Sequence, residues 1–174
     1  MVRRLRQTQI DAGDGAAGGV NRLAPAIAVD RVDRVRKVMS MQDADTIIRA
    51  LDLAPHPEGG WFREVHRDLY GTAIYYLLKY GETARWHRIA QNEMWHYYTG
   101  VALELLLSPD GKRSERHVLG PGIAKGERPH LVVPPRVWQT ARSLGAWSLA
   151  GCTVMPPFGF ADFELAPDGW EPSG

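Results

Sequence analysis

The stretch Arg85-Trp86-His87-Arg88-Ile89-Ala90-Gln91-Asn92-Glu93-Met94-Trp95-His96-Tyr97-Tyr98-Thr99-Gly100 decides the fold. It reads as two strands, Ala84–Arg88 and Glu93–Thr99, with Gly100 as the punctuation after the second. Strand side chains alternate between faces. Arg85 and His87 are therefore expected on one face of the first strand. Glu93, Trp95 and Tyr97 are expected on one face of the second, with Met94, His96 and Tyr98 on the other. A His and a Glu on neighbouring strands, both aimed into a barrel, are close enough to share a ligand. They would hold a metal or act as a proton-transfer pair. The plainer reading is a hydrogen bond between the two inside a packed sheet, and both readings stand at this point.

Outward from that pair, the pattern repeats. Thr72–Leu78, Ala102–Leu107, Arg113–Leu119, Pro129–Val133, Val137–Arg142, Trp147–Val154 and Phe160–Leu165 all read as strands. Pro109-Asp110-Gly111 marks a turn. Strands at this spacing, parted by Gly, Pro and Asp, predict an all-β sandwich or barrel. One short helix precedes them. Ala44, Ile47, Ile48 and Leu51 keep helical spacing, and Ser40 with Asp43 resembles a capping box. Pro55 and Pro57 end this helix by Leu53.

The chain has 174 residues, 44% of them hydrophobic, enough for one domain with a real core. With 21 Lys and Arg against 20 Asp and Glu, it lacks the basic excess of a nucleic-acid-coating protein. A single Cys excludes an internal disulfide framework and a Cys-based zinc module. That residue, Cys152, lies in an apolar strand and reads as an inert buried thiol. No run approaches the roughly 18 apolar residues of a membrane helix. Residues 1–40 carry eight basic and four acidic side chains, a net of +4, and no aromatic residue. Such a segment has little to bury and is expected to be disordered. It lacks the uninterrupted apolar region of a secretory signal, so the expected location is cytoplasmic. The domain is placed at 42–168, with 169–174 as a tail.

The ordered part resembles the cupins. Glu93 followed by Gly100 fits the second half of the first cupin motif, and Pro134-Pro135-Arg136-Val137-Trp138-Gln139 falls where the second belongs. More closely, the chain is similar to a cupin family marked by His56-Pro57-Glu58-Gly59-Gly60. Its further blocks are Trp61-Phe62-Arg63-Glu64, Thr72–Leu78, Trp86-His87-Arg88, Glu93-Met94-Trp95-His96, Trp138-Gln139, Gly151-Cys152-Thr153-Val154 and Phe158–Glu164. The resemblance spans about residues 43–167. It implies a cupin double-stranded β-helix (jelly roll) and a homodimer, and it assigns no reaction.

Departures from the cupin pattern shape the chemistry. Arg85 stands where metal-binding cupins place a first His, and Gln139 stands where they place a last one. His87, Glu93 and Gln139 remain as a metal set with a single imidazole, weak for a divalent transition metal. No cofactor is therefore firmly expected. Without a metal, the same residues suit acid–base catalysis similar in residue type to the sugar-epimerase branch of the cupins. His87 would be the base, Glu93 would orient it and Tyr97 would supply the proton. Arg85 would bind an anionic or sugar-like ligand, and Trp86, Trp95 and Trp138 would wall the pocket, with Gln139 beside them. Ordinary core packing is the plain alternative for the Trp set. The His-Pro-Glu-Gly-Gly loop either bends the chain into the first strand or closes one mouth of the barrel and places Glu58 or Arg63 at the ligand. Three functions follow: an isomerase- or epimerase-type enzyme, a non-catalytic small-molecule-binding cupin, and a metal-dependent oxygenase or lyase.

Overall fold

The computed structural model describes residues 43–173. The disorder expected over 1–40, and Ser40 of the expected capping box, lie outside the described residues. Helix α1 spans Ala44–Leu51. Asp43 is its N-cap, accepting from the Thr46 N–H at 2.6 Å. Asp52 ends it in the left-handed region at φ 52°, and its N–H returns to the Arg49 and Ile48 carbonyls.

Eleven strands follow: β1 (Ala54–Pro55), β2 (Trp61–Arg67), β3 (Thr72–Lys79), β4 (Thr83–Ile89), β5 (Asn92–Gly100) and β6 (Leu103–Ser108), then β7 (Glu115–Leu119), β8 (His130–Val133), β9 (Trp138–Ser143), β10 (Trp147–Met155) and β11 (Phe163–Leu165). They form a six-stranded sheet in the order β1-β2-β3-β10-β5-β8 and a five-stranded sheet in the order β11-β4-β9-β6-β7. All pairings within the two sheets are antiparallel. This is the expected all-β jelly roll. Strands β1 and β2 are absent from the sequence-based list. Most β2 side chains are exposed, so its residues show no buried alternation. The segment Phe160–Leu165 is a strand only from Phe163; Phe160–Asp162 is a 3-10 turn.

Tyr76, Leu78, Trp95, Leu103, Leu105 and Leu119 fill the space between the sheets. Each buried Leu of this kind contributes about 1.5–3 kcal/mol from apolar burial. Helix α1 lays Ile47 on the outer side of the larger sheet, against Leu77 and Leu149. Residues 169–173, set outside the domain by the sequence reading, pack against the smaller sheet. Trp170 meets Trp86 and Trp138, and Glu171 accepts from the Trp86 indole N–H at 2.8 Å.

Candidate functional site

Strand β4 departs from plain alternation, and the site follows from that. Ala84 pairs with Ala141 and His87 pairs with Gln139, so three steps on β4 oppose two on β9. The result is a β-bulge at Arg85 and Trp86. His87 turns into the barrel, 3% exposed, while Arg85 and Trp86 both face the outer groove beside the C-terminal residues. Arg85 is engaged there by Asp168 and by the Ala166 carbonyl. The expectation that Arg85 shares a face with His87 is corrected by this bulge, which turns Arg85 away from the barrel interior.

His87 is held by its own strand. Its Nδ1 lies 2.8 Å from the Arg85 carbonyl, so Nδ1 carries the proton and Nε2 is the free lone pair. Burial lowers its pKa, opposed chiefly by the nearby Glu93 charge. On β5, Glu93 accepts from Gln139 Nε2 at 2.5 Å, and Cys152 of β10 lines the same cavity. Gln139 in turn accepts from Trp95 Nε1 through Oε1 at 2.9 Å. Trp95, Gln139 and Glu93 thus form one buried chain.

That chain decides the metal question. Both ends of the Gln139 amide are committed, its oxygen to Trp95 and its nitrogen to Glu93. The oxygen keeps one lone pair beyond the Trp95 bond, but the amide turns its nitrogen to Glu93 and His87 remains the single imidazole, so the set His87, Glu93 and Gln139 is a weak one for a transition metal. His96 cannot supply the missing imidazole, because it faces the outer side near Thr153 and His130. Among the described residues no three His, Cys, Asp or Glu side chains form a group that could hold a metal ion.

The remaining expected residues divide. Trp95 is in the core, 1% exposed, and is not a pocket wall. Trp138 lies outside, between Trp170 and the Arg88 guanidinium. Tyr97 donates its hydroxyl to the Gly100 carbonyl at 2.7 Å and does not line the cavity that holds His87 and Glu93. It therefore supplies no proton there.

The loop between α1 and β2 brings the missing acid. Gly59 and Gly60 adopt φ of 109° and 70°, and a Cβ on Gly59 would sit 2.4 Å from the Thr83 carbonyl oxygen. Only glycine lets this loop lie so close to β4. Tyr76 fixes it by donating to the Gly59 carbonyl at 2.6 Å, and Arg85 N–H donates to the Glu58 carbonyl at 2.8 Å. Glu58 is thereby driven inward, 5% exposed, with one carboxyl oxygen 3.3 Å from His87 Nδ1 and the other 3.7 Å from His56 Nδ1. Burial pushes the Glu58 carboxyl up to about 8. Burial, and then the nearby His87, bring His56 down to about 4. His56 Nδ1 accepts from the Glu58 backbone N–H, as a neutral ring does. His56 and Glu58 were legible only as two polar residues flanking Pro57 before a glycine pair. Arg63, the loop's other candidate, points outward to Asp52 and the Leu51 carbonyl.

These side chains line a cavity of about 110 Å³. Its walls include Phe62, Ile74, Ile89, Val154 and Phe163, and Cys152 lies beside Glu93 at the polar end. At the lining's edge Arg67 is bound twice by Glu64 and once to the Phe158 carbonyl.

With the jelly roll and its inward His, Glu and Gln in place, the class is that of a cupin. The family described as Cupin superfamily (DUF985) matches residues 45–166, and the chain belongs to it. Among solved structures, a Shewanella oneidensis protein is 36% identical, over 72% of this chain and 85% of its own, with a TM-score of 0.68. A hypothetical protein from Leishmania major is 26% identical, over 74% and 90%, with a TM-score of 0.69. A dTDP sugar isomerase from Desulfovibrio desulfuricans shares the fold at 17% identity, over 67% and 80%, with a TM-score of 0.50. No curated protein matches the chain in sequence. No helix among the described residues is long and apolar enough to cross a membrane.

Proposed function

We propose that this cupin is an acid–base enzyme of small-molecule metabolism, of isomerase or epimerase type, working without a metal. The observation that carries the proposal is the Glu58 carboxyl, 3.3 Å from His87 Nδ1 inside the barrel cavity. Catalytic acids and bases need pKa values near the working pH, and burial is the usual means of moving a carboxyl there. Near neutral pH, Glu58 holds a proton to give and His87 Nε2 holds a lone pair to receive one. A substrate C–H would lose its proton to Nε2, and Glu58 would protonate the atom on which charge develops. Glu93 then faces an imidazolium, whose charge it stabilises. Gln139 and Trp95 keep the Glu93 carboxyl in place. In this reading Glu58 takes the role that the sequence assigned to Tyr97.

The test is solvent exchange. Protein is incubated in D₂O with a pool of small metabolites, which are then weighed by mass spectrometry. The wild type is expected to leave one deuterium on at least one compound, and His87→Ala and Glu58→Gln are expected to leave none. No uptake with any compound, or equal uptake with the variants, would contradict acid–base catalysis and favour a cupin that binds its ligand unchanged.

A further inference from the structure

Resting on that acid–base reading, we propose that the reacting part of the substrate is an uncharged carbonyl compound of about five or six heavy atoms, with a C–H beside the carbonyl. Size comes first. The cavity holds about 110 Å³. An apolar cavity of about 150 Å³ accepts benzene, which has six heavy atoms, and drug-sized ligands need about 300 Å³ or more. A nucleotide or a whole sugar nucleotide does not fit inside.

Charge comes second. Among the described residues the only Lys or Arg lining this cavity is Arg67. Its guanidinium is already bound twice by Glu64, at 2.9 and 2.6 Å, and once by the Phe158 carbonyl at 3.0 Å. A carboxylate or phosphate inside would meet three carboxyl groups, Glu58, Glu64 and Glu93, and no free cation. An unpaired anion in such a place is strongly disfavoured.

Polarity comes third. Phe62, Ile74, Ile89 and Val154 take the apolar part of the ligand, while Glu58 and His87 meet its polar end. Donor and acceptor together suit a carbonyl with an adjacent C–H. His87 Nε2 takes the C–H proton, and the C–H electron pair becomes the carbon–carbon π bond of an enol. The carbonyl π pair moves to oxygen, which receives the Glu58 proton. Where the C–H carbon also bears a hydroxyl, the enol is an enediol. The Glu58 carboxylate then takes the proton of that hydroxyl, and its O–H pair becomes the new carbonyl π bond. The carbon–carbon π pair takes the His87 proton at the former carbonyl carbon, which completes an isomerisation and restores both residues with no co-reactant.

Three probes of matched size separate the possibilities: (R)-acetoin, neutral with six heavy atoms; pyruvate, an anion; and 3-aminobutan-2-one, a cation. Each is titrated at neutral pH into protein with ¹³C-labelled methyl groups. Acetoin is expected to shift the Ile74, Ile89 and Val154 signals at millimolar concentration, with at least tenfold weaker effects from pyruvate and the amine. Racemic benzoin, a bulky neutral hydroxyketone, is expected to leave these signals unmoved. Tighter binding of pyruvate, the amine or benzoin, or no binding of acetoin, would overturn the substrate class. Deuterium uptake at the acetoin C–H, measured in the same samples, reads the acid–base chemistry separately. Binding without uptake would leave the class standing and count against the catalytic reading.

Discussion

The Glu58 carboxyl lies 3.3 Å from the Nδ1 of His87, delivered by a loop on one side and a bulged strand on the other. Neither group is in water, and burial shifts both titrations, that of Glu58 upward and that of His87 downward. The proposed chemistry lives in this contact, and most predictions below concern one of its two ends.

Loss of stability at alkaline pH should trace to Glu58. Its ordinary pKa is 4.5, and in the folded chain it is about 8. Between these values the folded chain keeps a proton that the unfolded chain has released, so stability falls as pH rises. The slope is at most about 1.4 kcal/mol per pH unit for one such group. His56 works in the opposite sense between about 4 and 6.5, where the unfolded chain binds the extra proton. Urea unfolding from pH 6.5 to 8 should show wild-type stability falling relative to Glu58→Gln. Parallel curves for the two proteins would refute the assignment.

On the substrate found by solvent exchange, His87→Ala should lower kcat/KM by about 10²–10⁴, the usual yield of a positioned acid or base. Glu58→Gln should cost a similar factor, because an amide keeps the shape and loses the transferable proton. Wild-type activity should fall above about pH 8 as Glu58 ionises. Stopped-assay pH profiles check this, and undiminished activity at pH 9 would count against Glu58 as the acid.

Arg85→Ala and Tyr97→Phe should each leave kcat/KM within about twofold, since neither side chain reaches the cavity. Arg85→Ala loses an ion pair to the exposed Asp168, so its effect on stability should be within about 1 kcal/mol. A hundredfold loss of activity in either variant would restore the roles that strand alternation suggested.

Gly59→Ala should be far more damaging than its size suggests. The added methyl carbon would lie 2.4 Å from the Thr83 carbonyl, at a φ of 109° that other residues rarely adopt. A destabilisation of about 1–3 kcal/mol is expected from the backbone strain. The larger sign should be in function, with the Glu58 titration moving toward ordinary carboxyl values as the loop lifts. Chemical denaturation and carboxyl NMR measure the two effects.

Much of the architecture was legible because buried alternation and turn residues repeat through most of the strands. Strand β2 escaped because it is held by backbone pairing to β3 while its side chains stay wet. His87 and Glu93 were legible as inward residues, but Arg85 was misplaced. A bulge changes facing by one residue, and nothing in Arg85-Trp86-His87 announces it. Tyr97 keeps to the expected side of β5, yet it lies beyond the cavity, a distance along the barrel that alternation does not report. Gln139 was read as a ligand by its position in the motif. Its neighbours across the barrel, Trp95 and Glu93, take both of its polar atoms instead. Glu58 was only half visible, since a loop residue's destination depends on what the glycines pack against.

The most direct measurement is the titration of the Glu58 side-chain carboxyl by ¹³C NMR, assigned by comparison with Glu58→Gln. The expected carboxyl is still protonated at pH 7 and titrates near 8. A Glu58 signal that titrates near 4.5 would show an ionised carboxylate beside His87 and would contradict the proposed acid.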